Sequence, residues 1–247
     1  MMRPKPASYI AAHIRRVLKD GGSAPHSEDV QRFFTEYVPN YGWRTADLRR
    51  LARRFSRHLI AEAGPQRVVN IADTLFTGKN STEKGMAVLL LENHVAKLGD
   101  AHFRLFESWL ARITNWSDHD ALVHYLIGPM MVAKPTRTAR VFRWARSRNR
   151  WLRRASAVAL IQGARRLMFF SEIKRVTALL LSDEDDMVQK GLGWLLRETA
   201  KADAKRTVPY LMKIRAKAPR LVLRTACETL SARERARVLA SKLTLSS

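Results

Sequence analysis

A short helical pattern recurs along this chain at intervals of about 35 residues. Each copy opens an apolar helix with an anchor that is basic or a histidine, and successive anchors are 35, 35, 35, 36 and 34 residues apart. The anchors are Arg49, Lys84, His119, Arg154, Lys190 and Arg224. A fixed period of this length, with enough sequence for two helices per copy, is typical of stacked helical pairs. The repeat therefore predicts a helical solenoid.

Apolar periodicity and helix breakers support this prediction. Leu192, Leu195 and Leu196 recur at helical spacing, and breakers such as Gly64-Pro65 separate the apolar runs. The predicted helices span residues 8–20, 28–38, 45–62, 65–77, 82–97, 101–112, 116–132, 136–147, 151–163, 168–181, 186–201, 204–216, 218–229 and 231–243. The predicted fold is all-α, a right-handed solenoid of about six to seven helical pairs with a basic concave face.

The stacked repeats predict one main domain, residues 28–243. Residues 1–27 are less regular because they contain prolines and the Gly21-Gly22 stretch, and we expect an N-terminal helix followed by a flexible connection there. Residues 244–247 are predicted to be a frayed tail.

A large positive charge restricts the class of partner. Lys and Arg number 45 against 22 Asp and Glu, which gives a formal net charge of +23. Such an excess repels itself unless a polyanion neutralises it; nucleic acid is the usual partner, and an anionic membrane surface is the alternative. No apolar run is long enough to span a bilayer, and no signal-peptide core follows Met1. We therefore expect a cytoplasmic, monomeric protein that associates with nucleic acid and has no membrane partner.

The cysteine and histidine patterns give no support for disulfide or metal chemistry. Cys227 is the only cysteine, and its apolar neighbours Leu223 and Leu230 favour a place in the core. The seven histidines show no metal-ligand spacing. We predict no metal and no cofactor.

The register of the repeat predicts a site. Counted from each anchor, Trp116 and Trp151 lie at position minus three, Asp120 at plus one and Trp194 at plus four. At about 100° per residue these positions form one stripe on successive parallel helices. The stripe predicts that four side chains converge: Trp116, Asp120, Arg154 and Trp194. Basic anchors such as Lys190 would line the same wall and contact phosphates.

A carboxylate on a basic, aromatic wall points to chemistry rather than to binding alone. It repels phosphate, so Asp120 adds nothing to a surface that only holds DNA. It is suited to stabilise a developing cation or to position water for attack on one. Cleaving a nucleoside between sugar and base generates such a cation, and indole faces attract cationic groups.

Five stretches carry a resemblance to a known family. They are Tyr41-Gly-Trp-Arg44 with Asp47-Leu-Arg-Arg50, Asp73-Thr-Leu-Phe76 through Glu83-Lys84-Gly-Met-Ala, Thr114-Asn-Trp116-Ser-Asp-His-Asp120, Trp151-Leu-Arg-Arg154-Ala, and Val188-Gln-Lys-Gly-Leu-Gly-Trp194-Leu-Leu-Arg197-Glu198. Over roughly residues 30 to 230 the chain resembles the AlkD-type alkylpurine DNA glycosylases, which are HEAT-like DNA alkylation repair proteins.

The resemblance implies roles for particular residues. The family's Trp-x-x-x-Asp motif falls on Trp116 and Asp120, which implies that Asp120 is the catalytic carboxylate. The Trp-x-x-Arg motif falls on Trp151 and Arg154 and implies that Arg154 contacts the lesion strand.

The last motif, Gly-Trp-x-x-Arg-Glu, implies an aromatic wall at Trp194 and a backbone contact at Arg197. The resemblance also implies an activity, the excision of cationic N3- or N7-alkylated purines from duplex DNA without extrusion of the base into a deep pocket. A cationic base leaves readily, so one carboxylate suffices, and we expect hydrolysis that leaves an abasic site without strand cleavage.

Several alternatives stay open at this stage. The chain has Ser117 where the family has an acid, so Asp118 competes with Asp120 for the catalytic role. Arg153 is an alternative to Arg154, and the family's N-terminal DNA-contacting aromatic aligns with either Phe34 or Tyr37. The three tryptophans of the motifs are alternatively core residues. A non-catalytic solenoid that binds damaged or branched DNA, or structured RNA, is the second functional hypothesis.

Overall fold

The computed structural model describes residues 5–240, except for the side chains of residues 62 and 63. Within this range the chain forms α-helices joined by turns and short 3-10 or π segments, and no strand. The predicted all-α class is therefore confirmed. The predicted frayed tail, residues 244–247, lies outside the described residues.

The helices lie close to the predicted positions for most of the chain. They are α1 (Ala7–Asp20), α2 (Ala24–Gln31), α3 (Thr45–Phe76), α4 (Ser81–Leu91), α5 (Asp100–Trp109), α6 (Trp116–Leu122), α7 (Gly128–Ala133), α8 (Ala139–Trp144), α9 (Arg150–Val158), α10 (Ile161–Ala164), α11 (Phe170–Leu180), α12 (Asp186–Ala202), α13 (Ala204–Ile214), α14 (Arg220–Ala226) and α15 (Ala232–Leu239).

Residues about one repeat apart contact each other, and these contacts explain the period of the sequence. Such pairs are Ser56 Oγ with Leu90 O at 2.8 Å, Trp109 Nε1 with Asp73 Oδ1 at 2.8 Å, and Arg150 Nη2 with Asp185 Oδ1 at 2.9 Å. Each pair joins one repeat to the next. This pairing is that of a helical solenoid.

The chain divides into two compact units between Leu126 and Ile127. In the first unit, α1 and α4 pack against α3, and α6 packs against α4. In the second unit, α12 packs between α9 and α14, and we call these three helices the front row. The back row consists of α8, α11 and α13, which pack against α9 or α12. The second unit thus has the two helical layers that a stack of helical pairs requires.

A glycine and a proline divide α3 into two arms, 45–63 and 65–76. Gly64 has a φ of 75° and a ψ of 173°, a left-handed conformation that a residue with a Cβ adopts only at a cost. Pro65 follows as the first residue of the second arm, where its missing N–H costs no hydrogen bond. The break predicted at Gly64-Pro65 is confirmed.

The predicted helix over residues 28–38 is wrong. The chain forms α2 four residues earlier, with Ser23 as its N-cap, and has no further α-helix until residue 45. In the intervening segment, the Gln31 side chain donates to Glu36 O at 2.8 Å and accepts from the Val38 N–H at 2.9 Å. These bonds satisfy backbone groups without a helix, and periodicity alone does not reveal them.

The predicted N-terminal helix is present as α1. Its Ile14 and Leu18 side chains are fully buried, and Arg15 Nε forms an ion pair with Glu83 Oε2 at 2.8 Å. The predicted domain boundary at residue 28 stays a prediction. None of the helices between residues 5 and 240 combines the length and the hydropathy that a bilayer span requires.

Candidate active site

The start of α6 holds the motif that the sequence singles out in the first unit. Asn115 caps this helix, since its Oδ1 accepts from the Asp118 N–H at 2.9 Å. Trp116 is therefore the first helical residue, and its partly exposed ring stacks on Phe34 with centroids 5.1 Å apart and planes 23° apart. Tyr37, the other aromatic that aligns with the family, is 83% exposed. The structure thus brings Phe34, and not Tyr37, against Trp116.

Asp118 and Asp120 lie on different sides of α6, because two residues correspond to about 200° of helical rotation. Asp118 faces the core. Its Oδ2 lies 3.2 Å from Lys84 Nζ, and both side chains are almost fully buried. The carboxylate also accepts hydrogen bonds from the Ser81 hydroxyl and from Asn115 Nδ2, the latter at 2.9 Å. Asp118 is therefore engaged in structural contacts and is not accessible to a substrate.

Asp120 has a different environment. Its side chain is 20% exposed, and its Oδ1 lies 2.7 Å from Nδ1 of His119, whose own side chain is fully buried. The buried imidazole therefore fixes one edge of a carboxylate that reaches solvent. The repeat marks His119 only as an anchor and does not reveal this contact; the adjacency of His119 to Asp120 is the signal in the sequence that points to it.

The predicted row of phosphate-facing anchors is wrong for Lys84. This lysine is 3% exposed, and besides its ion pair with Asp118 it donates from Nζ to Arg112 O at 2.9 Å. His119 and Arg154 are buried as well, at 0% and 5% exposure. The anchor position often faces the core in this fold, so a basic residue at that position does not by itself mark a phosphate site.

Arg154 lies on α9 in the front row. Its Nη1 donates to Met187 O at 2.6 Å, and its side chain crosses Gly191 of α12. A Cβ added at Gly191 would lie 3.0 Å from Arg154 Cγ and 3.3 Å from Nη1. The glycine thus makes room for the arginine, a role that sequence analysis missed although Gly191 directly follows an anchor.

The other candidates on α9 are held by acids or by the core. Trp151 is 9% exposed, which fits the core alternative, and the Arg150 guanidinium lies 5.4 Å from its ring centroid. Arg153 pairs with Asp183, with Nε 2.6 Å from Oδ2, and donates to the Ser147 carbonyl at 3.1 Å. The alternative that Arg153 replaces Arg154 would require this ion pair to break.

The candidates on α12 are more accessible. Trp194 is partly exposed. The side chain of Arg197 is 29% exposed and pairs with Glu228 at 2.6 Å and with Glu198 at 3.4 Å. Lys190 is exposed and pairs with Asp186, with Nζ 2.9 Å from Oδ2.

Neighbouring cations lower the pKa values of two carboxylates of α12. The hydrogen bond from Lys190 lowers the pKa of Asp186 below its ordinary value. Burial alone would raise the pKa of Glu198, but the hydrogen bond and charge of Arg165, whose Nε lies 2.8 Å away, outweigh burial and lower it. Both carboxylates therefore favour their charged forms at neutral pH.

The predicted convergence of four side chains involves both units, because Trp116 and Asp120 belong to the first and Arg154 and Trp194 to the second. That convergence stays a prediction. Among the described residues, no group of three or more His, Cys, Asp and Glu side chains is arranged to hold a metal ion.

Comparisons with known proteins identify the family. A family model described as DNA alkylation repair enzyme matches residues 14–230. The chain belongs to the DNA alkylation repair enzyme family. Membership indicates a role in DNA repair, with DNA as the partner.

A solved structure also resembles this member of the family. It is described as a predicted DNA alkylation repair enzyme from Enterococcus faecalis, and it is 15% identical in sequence with a TM-score of 0.76. The match covers 85% of this chain and 97% of the other. At this identity the likeness shows the fold. A comparison with curated proteins finds no match.

Proposed function

We propose that this protein is a monofunctional DNA glycosylase. It hydrolyses the N-glycosidic bond of cationic N3- or N7-alkylated purines in duplex DNA and leaves an abasic site. The observation that carries the proposal is the contrast between two neighbouring carboxylates of α6: Asp118 is engaged in the core, whereas Asp120 reaches solvent with a buried histidine against it.

The chemistry needs little besides a fixed negative charge. When the bond between C1′ and the base nitrogen breaks, its electron pair neutralises the cationic base and the sugar becomes an oxocarbenium-like cation. Asp120 would stabilise that cation and orient the water whose oxygen attacks C1′, with the released proton passing to the carboxylate or to solvent. The contact with His119 Nδ1 restricts the rotation of Asp120, so its charge is oriented before the reaction.

Aromatic and basic side chains would hold the damaged nucleotide. The stacked pair of Phe34 and Trp116 presents an aromatic surface in the first unit, and Trp194 would provide another in the second. Attraction between a cationic base and an indole contributes about 0.5–2 kcal/mol. Arg154 would contact the lesion strand after its buried side chain releases Met187 O. Arg197 would contact the backbone after exchanging its carboxylate partners for phosphate.

A second candidate is binding of damaged or branched DNA, or of structured RNA, without catalysis. The formal charge of +23 favours it as strongly as it favours the enzyme. The two candidates differ in whether base release occurs and in whether it depends on Asp120.

The test is release of free base from duplex DNA that carries 7-methylguanine, under single-turnover conditions. The native protein should release base, and Asp120→Asn should lower the rate by about 100-fold or more, as expected for loss of an electrostatic group at a developing charge. Glu184→Gln is the matched control, because it removes one negative charge from an exposed position.

Each outcome decides a part of the proposal. If the native protein binds this DNA but releases no base, the glycosylase proposal is wrong and the second candidate stands. If Asp120→Asn and Glu184→Gln both release base at the native rate, the enzyme remains but Asp120 is not its catalytic group.

A further inference from the structure

The back row of the second unit carries a cluster of exposed cations that the proposed reaction does not use. We call it the back-row patch, and it consists of Arg143, Lys174, Arg175, Lys205 and Arg206. Along α8, α11 and α13, the helices that carry it, the only carboxylate is that of Glu172, which accepts from the Ser171 hydroxyl at 2.9 Å. The candidate DNA contacts Arg154, Trp194 and Arg197 lie on the front row instead.

Two arginines of the patch stack on aromatic rings and thereby join neighbouring helices. Arg175 of α11 lies over Phe142 of α8, with Cζ 3.9 Å from the ring centroid. Arg206 of α13 lies over Phe170 of α11 at 4.0 Å, and Lys174 Nζ lies 5.6 Å from the same ring. The three helices are thus connected by stacked guanidinium groups on their exposed surface.

Neither stacked arginine is paired with an acid among the residues that the structure describes. This distinguishes them from Arg150, Arg165 and Arg197, each of which forms an ion pair with a carboxylate. Stacking holds the guanidinium plane against the ring and leaves its N–H groups at the edge, where they fit two oxygens of one phosphate. Arg175 and Arg206 are therefore oriented for an anionic ligand.

The spacing of the helices suits a nucleic-acid backbone. Packed helices lie about 8–10 Å apart, so three neighbouring helices span about 20 Å. A duplex rises 3.4 Å per base pair along its axis, so this distance corresponds to about six base pairs.

A membrane surface fits the patch less well, because interfacial helices insert large apolar side chains between lipids. The exposed large apolar residues of the described chain are Tyr9, Phe33, Tyr37, Tyr125 and Leu167, and none lies on α8, α11 or α13. Phe142 and Phe170, two of the four aromatic rings on these helices, are covered by cationic side chains.

We propose that the back-row patch binds the phosphates of a second DNA segment while the candidate active site holds the first. The protein would then bridge two duplexes, or two distant parts of one molecule, and could pass from one to the other without full release. The inference rests on the proposed function only in assigning the first segment to the candidate active site.

A bridging experiment tests this inference. A biotinylated duplex is fixed on beads, the full-length protein is added, and retention of a second, fluorescent duplex is measured over a range of salt concentrations. The native protein should retain it, and Arg175→Gln/Arg206→Gln should reduce retention at least tenfold. Loss of two phosphate contacts should also lower the slope of log affinity against log salt by about 1.8, since each contact contributes about 0.9.

Two further variants test whether the position of the two arginines and the geometry of their guanidinium groups matter as well as their charge. Arg16→Gln/Arg104→Gln removes two exposed arginines of the first unit and should leave retention within about twofold of native. Arg175→Lys/Arg206→Lys keeps the charge but loses the bidentate contact with phosphate. We expect it to retain less of the second duplex than the native protein and more than Arg175→Gln/Arg206→Gln.

The inference is overturned if the native protein retains no second duplex at low salt, or if Arg175→Gln/Arg206→Gln retains it as the native protein does. Loss of binding to phosphatidylserine vesicles in that variant, without loss of bridging, would overturn it in favour of a lipid surface. Base release should be native in Arg175→Gln/Arg206→Gln. Bridging by a protein that releases no base would contradict the proposed function and leave this inference standing.

Discussion

The ion pair between Lys84 and Asp118 allows a direct test of what the anchor position does. The two side chains are 3% and 2% exposed, and Nζ lies 3.2 Å from Oδ2. Lys84→Met keeps an unbranched side chain of similar length but removes its charge. Asp118 then stays buried without its cation, and the backbone carbonyl of Arg112 loses the hydrogen bond from Nζ.

The expected cost follows from the contacts that remain. Removing one partner of a buried ion pair costs about 3–5 kcal/mol, because the other charge is left uncompensated. Asp118 keeps its hydrogen bonds from Ser81 and Asn115, and a hydrogen bond to a charged group contributes about 1.5–3 kcal/mol. Because these bonds remain, the cost should lie at the lower end of the range of about 3–5 kcal/mol. We therefore expect Lys84→Met to lower the free energy of unfolding by about 3 kcal/mol.

The measurement is urea unfolding followed by far-ultraviolet circular dichroism. Lys190→Met is the matched control, because Lys190 has the same register position but pairs with Asp186 on the surface, where the two side chains are 48% and 55% exposed. It should cost less than about 0.5 kcal/mol. Lys84→Met/Asp118→Asn should be more stable than Lys84→Met alone, since it removes the stranded charge. A similar small cost for both single variants would refute the reasoning.

Two further predictions follow from the structure. Gly191→Ala should displace the Arg154 side chain and lower base release at least tenfold, whereas its stability should stay near native because the helical preference for alanine offsets the crowding. Gly85→Ala is the control, since its added Cβ meets only Leu48 at 3.6 Å. Unaltered base release in Gly191→Ala would contradict the role of the glycine. Because the folded-state pKa of Glu198 lies below that of the unfolded chain, its interaction with Arg165 stabilises the fold at neutral pH and is lost as pH falls through the carboxylate range. The urea midpoint should accordingly fall less between neutral and acidic pH in Arg165→Gln than in the native protein, and equal declines would contradict this assignment.

The irregular segment between α2 and α3 shows the limit of local patterns. Its backbone is satisfied by the Gln31 side chain and by later parts of the chain, as when the Thr82 hydroxyl accepts from the Tyr41 N–H at 3.0 Å and Pro39 O accepts from the Ser81 N–H at 2.7 Å. Such partners are about 40 residues apart in the sequence. A stretch of sequence as long as one helix does not contain both partners of such a hydrogen bond. The local pattern therefore predicted a helix where tertiary contacts stabilise a turn.

Local sequence patterns were sufficient to predict the all-α class, most helix positions, the break at Gly64 and the family motifs. These features are carried by local periodicity, by backbone restrictions of glycine and proline, and by a repeat that returns every 35 residues or so. The sequence also singled out Asp118 and Asp120 as the acids to compare.

Which side of each helix is buried follows from tertiary contacts that local patterns do not contain. Lys84, His119 and Lys190 occupy equivalent positions of the repeat, yet the first two are buried in the core and the third lies on the surface. Burial depends on what packs against a helix, and those partners come from other repeats. For the same reason the structure, and not the spacing, enclosed Asp118 in an ion pair and left Asp120 open to solvent.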